Sequence, residues 1–136
     1  MDLSLERTPE GRRLCVAERV ACPATAAWSL LTDTERWPEW GPSVRAVEAT
    51  DRYVRAGTTG RVRTVGGLWL PFEVTSCRAY RWGWRVAGVP ATGHRVESLG
   101  HATCRVVFEV PPVAAPYVVI CAVAIRRIVD RCERDS

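Results

Sequence analysis

Two side chains in this sequence are placed to move a proton inside an apolar site. Glu18 lies in the alternating run from Leu14 to Val20, on the face that carries Val16 and Val20. A carboxylate on an apolar face is desolvated, which raises its pKa and lets it act as an acid or base near neutrality. A one-residue bulge or an arginine partner would instead make Glu18 structural. His94 shares its face with Val96 and Ser98. An imidazole there can shuttle a proton or anchor a ligand carbonyl; it can also be a hydrogen-bonded core histidine, or one near a rim. His101, beside Gly100 in a turn, is expected in solvent.

Around these two groups lies the material for an apolar wall. Trp82 and Trp84 share a face with Val86, and Trp40 and Trp69 are expected to approach the same space. Indoles offer a broad apolar surface and one N–H donor each, which suits an aromatic or polycyclic ligand. Ordinary core packing is the alternative for any one of them. Phe72, Val74, Val96, Val106, Phe108, Tyr117, Ile120 and Ala124 complete the expected ligand-binding set, with Tyr117 offering a phenol.

Other chemistries lack support. The chain has no GxSxG, P-loop, HExxH, or GxGxxG on a strand–helix turn. Its six cysteines form no CxxC pair and only two histidines could join them, so neither metal nor cofactor is expected. Reduced thiols buried as small hydrophobes are the simplest account. All 19 basic residues are arginines, giving a net charge of +4, but they are scattered in pairs rather than clustered on a face. A nucleic-acid binder needs a clustered basic face, so no nucleic-acid partner is expected. Residues 1–12 contain no apolar leader, and a cytoplasmic location is expected. The longest apolar stretch, Pro111 to Ile125, falls short of the roughly 18 residues of a membrane span. No stable membrane insertion is expected, and the chain is read as a monomer or homodimer.

The elements that must hold these residues follow from periodicity. Residues 1–11 read as a loose lead-in, and 12–136 as a single domain. Arg12 to Ala21 is a strand, ended by Pro23. Ala24–Thr32 has helical spacing, and Thr34–Trp40 forms a second short helix that stops at Gly41-Pro42. From Val44 to Val110, short apolar runs alternate with turns, including one at Gly88–Ala91, as in an antiparallel meander. Pro111-Pro112 ends the sheet, and Val113 to about Arg131 is a helix whose early turns are apolar nearly all round and therefore expected to be buried. The fold class is α+β. A curved antiparallel sheet of six or seven strands wraps around the C-terminal helix and leaves an apolar cavity between them.

This order resembles the START/Bet v 1-like (SRPBCC) superfamily, the helix-grip fold. Ala21 to Asp33 is similar to that family's first strand end and following helix, and Glu35 to Pro42 to its second helix. The Gly57 to Gly60 turn, the strand around Trp84 and the run Gly93 to Glu97 also match. The nearest resemblance is to the bacterial polyketide cyclase/dehydrase-like branch, over about residues 12–132. The resemblance implies a small hydrophobic ligand, lipid, aromatic or polyketide-like, in the cavity. It equally implies a cyclase, aromatase or dehydratase using the same cavity, with Glu18 and His94 as acid/base candidates.

Overall fold

The computed structural model describes residues 1–135. Eight antiparallel strands form one sheet: β1 (Asp2–Thr8), β2 (Gly11–Val20), β3 (Val44–Ala49), β4 (Thr59–Thr64), β5 (Trp69–Arg78), β6 (Arg81–Val86), β7 (Val89–Ser98) and β8 (Cys104–Val110). Their spatial order is β1-β2-β8-β7-β6-β5-β4-β3, so the first long strand, β2, pairs with the last, β8, inside the sheet, while β1 and β3 are its edges. Helices α1 (Ala24–Thr32) and α2 (Trp37–Trp40) follow β2, and the long α3 (Val118–Asp135) closes the chain.

The eighth strand is a correction to the sequence reading. Residues 2–8 are no loose lead-in: they pair in full register with β2, from Asp2 opposite Ala17 to Thr8 opposite Gly11. The segment's polarity reflects its place at a solvent-facing edge, where only one side of a strand needs apolar residues. A second correction concerns the β6–β7 turn. It is a two-residue hairpin at Ala87-Gly88, both with positive φ (52° and 77°), so β7 begins at Val89.

Curvature comes from interruptions in the ladder. Register shifts fall between Val44 and Ala46, Val74 and Ser76, and Gly83 and Arg85, and each adds local twist and bend. Gly60 serves the same purpose: a Cβ there would run into the Glu48 carbonyl and the Phe72 ring. The concave face carries the main core, in which Val16, Val20, Phe72, Val74, Val96, Val106 and Phe108 meet Leu30, Leu31, Ile125 and Ile128 from the helices.

The C-terminal segment also departs from expectation. Pro112–Tyr117 is a 3₁₀ stretch with no buried residue and a non-helical Ala114, and regular α-helix starts only at Val118. Cys121, Ala124, Ile125, Ile128 and Cys132 form the buried stripe of α3. The other side of the early turns, expected to be buried, faces outward: Val119 is 66% exposed.

Candidate functional site

Between the concave face and α3 lies a cavity of about 360 Å³ with walls that are mostly apolar. Its walls come from α2 (Trp37, Trp40), β6 (Trp82, Trp84), β7 (Thr92, His94), β8 (Phe108, Val110) and α3 (Ile120, Cys121, Ala124). Val89 and Tyr117 line it and are also exposed, which places its mouth there.

Short sequence signals position these groups. Trp37 and Trp40 stand three apart around Pro38, so both project from one turn. Their indole N–H groups donate to the Leu31 carbonyl (3.0 Å) and the Leu30 carbonyl (3.1 Å), satisfying the open C-terminal end of α1. Trp82 is fully buried between two rings, parallel to Trp37 at 5.3 Å and stacked on His94 at 4.0 Å. Phe108 and Trp40 meet the His94 ring edge-on.

The polar atoms of this wall form one chain. The Trp84 indole donates to the Thr92 hydroxyl at 3.2 Å, and that hydroxyl lies 3.0 Å from His94 Nε2. Because the indole can only donate, the threonine's single hydrogen is free for Nε2. Nδ1 then carries the imidazole proton and donates to the Trp82 carbonyl at 3.4 Å. Burial pushes the His94 pKa down to about 3, and Arg81 adds to that, against the Trp82 carbonyl, which raises it. His94 is therefore a neutral ring with both nitrogens occupied. One donor is left over: among the described residues the buried Trp82 Nε1–H has no acceptor. At the mouth, Tyr117 and Ser43 share a hydrogen bond of 2.8 Å that ties the start of α3 to the loop after α2.

The structure brings His94, Trp40, Trp82, Trp84, Phe108, Tyr117, Ile120 and Ala124 together at the cavity. It does not bring the others there. Trp69 points to the outer face, where Arg61 lies over its ring at 4.4 Å, because β5 alternation groups it with Pro71 and Glu73. Phe72, Val74, Val96 and Val106 belong to the packed core beside the cavity. Glu18 is outside the cavity, its carboxylate 3.6 Å from the amino group of Met1, and the strand that carries it packs against α3. Thr92, Trp37 and Ser43 were not singled out from the sequence. A threonine at i−2 from His94 shares its face on a strand, and that spacing was the available signal for Thr92.

Of the thiols, Cys104 lies in the packed core and Cys121 is a buried part of the cavity wall. Burial, with Cys22 close by, pushes Cys104 up to about 12, and burial alone pushes Cys121 to about 12. Among the described residues no cluster of His, Cys, Asp and Glu could hold a metal ion.

A curved sheet gripping a C-terminal helix around an internal cavity defines a helix-grip domain. The chain belongs to the family described as polyketide cyclase / dehydrase and lipid transport, whose model matches residues 13–132. Solved structures share the fold. The Zhui aromatase/cyclase from Streptomyces sp. R1128 aligns with a TM-score of 0.71 at 15% identity, over 90% of this chain and 94% of that one. The di-domain aromatase/cyclase StfQ of the steffimycin pathway gives 0.68 at 19% identity, over 90% of this chain and 45% of that one. Norcoclaurine synthase from Thalictrum flavum gives 0.62 at 13% identity, over 100% of this chain and 99% of that one. No curated protein matches in sequence.

Proposed function

We propose that this protein binds one compact, flat hydrophobic molecule in the cavity between the sheet and α3. The observation that carries the reading is the wall itself: four of the six tryptophans line the space, and its polar groups are nearly all bonded to one another. A cavity of about 360 Å³ lies in the range of small-molecule sites, where affinity comes chiefly from apolar burial. Titrating the intrinsic tryptophan fluorescence with polycyclic phenols, quinones and fatty acids tests this. Saturable quenching by the flat oxygenated compounds is the expected result. No uptake of any class, together with no extractable small molecule in the purified protein, ends the proposal.

Ring closure of a flexible chain is a second reading, supported by the Trp84–Thr92–His94 chain in the cavity wall. With His94 neutral and engaged, such catalysis would rest on holding a substrate in a folded conformation rather than on a strong base. Thr92→Val and His94→Gln should then lower turnover while leaving product affinity within a few-fold. Turnover unchanged in both variants removes the chain from the mechanism.

A further inference from the structure

We propose that the outer face of the segment 112–127 docks on an anionic lipid surface, with the cavity mouth turned toward it. This goes beyond ligand binding and rests on exposure, charge and the position of the cavity mouth. Pro112–Asp135 is long and apolar enough to cross a membrane, yet only 22% of its most apolar stretch is buried. Val113 is 95% exposed, Val119 66%, and Tyr117 and Val123 39% each. At about 100° per residue, Val119, Val123, Arg126 and Arg127 lie on one side of α3, opposite the stripe of Cys121, Ala124 and Ile128. The outer side is therefore apolar for its first turns and basic in the next.

Charge identifies the occupant. No acidic residue occurs between Glu109 and Asp130. Arg126 and Arg127 are exposed, and among the described residues neither has an ion-pair partner. A lipid surface is layered in the same way, with anionic headgroups above hydrocarbon. Valines facing the acyl boundary, and a tyrosine and arginines at headgroup level, are the side-chain order of an interfacial helix. The segment does not span: the opposite side of α3 is committed to the core. Continuity with the cavity supports the same occupant, because Tyr117 and Ile120 line the mouth and sit on this segment. A hydrophobic molecule leaving the bilayer would pass from one apolar surface to another without crossing water.

The test is co-sedimentation of the full chain with phosphatidylglycerol-rich vesicles and with pure phosphatidylcholine vesicles. Binding to the anionic vesicles, weakened by salt, is the expected result. Val119→Glu with Val123→Glu should abolish it. Arg126→Gln with Arg127→Gln should weaken it about thirtyfold. All four positions are exposed, and fluorescence titration of the cavity in lipid-free buffer reports separately that the fold and the ligand site survive. A failed titration with intact vesicle binding would thus sink the cavity reading alone. The docking proposal is overturned if the wild type ignores anionic vesicles at low salt, or if either double variant binds them as the wild type does. It is equally overturned if light scattering shows a dimer that Val119→Glu with Val123→Glu dissociates, since a second copy then covers this face.

Discussion

His94 is neutral because an imidazolium in its position would have no carboxylate to face and no water to solvate it. Rings cover it on several sides, and Thr92 and the Trp82 carbonyl hold its nitrogens. The consequence for stability has a definite sign. With the folded-state pKa lowered from 6.5 to about 3, the unfolded chain binds this proton first, so stability falls as pH drops below 6.5 and levels off only near 3. Urea unfolding should show about 2 kcal/mol less stability at pH 5 than at pH 7.5 from this group. His94→Gln should flatten that interval, and an unchanged slope would show that the ring does not titrate as described. The thiols predict a second result. With Cys104 and Cys121 pushed up to about 12 by burial, they should react with Ellman's reagent only on unfolding. Rapid labelling of either in the folded protein would contradict their burial.

Elements here stabilise one another through the same residues that shape the site. α1 has no capping side chain at its start, and at its end the Leu30 and Leu31 carbonyls are taken by the two indoles of α2. Trp40→Phe removes the bond to the Leu30 carbonyl together with part of the indole's packing against His94 and Phe108. It should lower stability by about 1–3 kcal/mol in thermal unfolding, from the lost bond and the lost packing together. A loss near zero would mean that the two together contribute nothing net. The non-helical Ala114 and exposed prolines before α3 make the mouth the least anchored part of the helix, held on one side by the Tyr117–Ser43 bond.

Across the whole molecule, the outer face of the sheet is organised around one buried carboxylate. Glu109, 1% exposed, accepts from Arg81 Nε at 3.0 Å and from Arg95 Nη1 at 2.7 Å. Glu10, Glu6 and Glu97 surround the same arginines, so the ladder ties β1 and the β1–β2 turn to β6, β7 and β8. Gly93 leaves the space: a Cβ there would stand 2.5 Å from Glu109 Oε1. Glu109→Ala strips two half-buried guanidiniums of their shared partner and should cost about 3–5 kcal/mol in urea unfolding. On the concave side the unfilled volume is the functional one. Ile120→Trp should lower ligand affinity on the order of tenfold by occupying the mouth, while Tm changes little. Equal affinity would place the ligand elsewhere.

The strand–helix–helix–meander–helix order was legible in the sequence because turns and periodicity are local properties. Gly41-Pro42, Gly66-Gly67 and Pro111-Pro112 mark element ends wherever the chain goes. The inward ranks of Trp82, Trp84, His94 and Phe108 were legible for the same reason, since alternation assigns faces without tertiary information. Three outcomes needed the folded molecule. An edge strand such as residues 2–8 carries little hydrophobic signal, so its pairing emerges only against β2. Alternation says which face a residue takes and not what covers that face: Glu18 and Val106 are paired across β2 and β8 and lie outside the cavity, while His94 on β7 meets open space. Parity along β5 turned Trp69 outward despite its size, because register is set by the sheet's neighbours. Composition and spacing thus determined that a curved sheet would grip a C-terminal helix. Only long-range packing decided where the sheet and helix fail to fill the space between them, because a void is a property of facing surfaces and of no single segment.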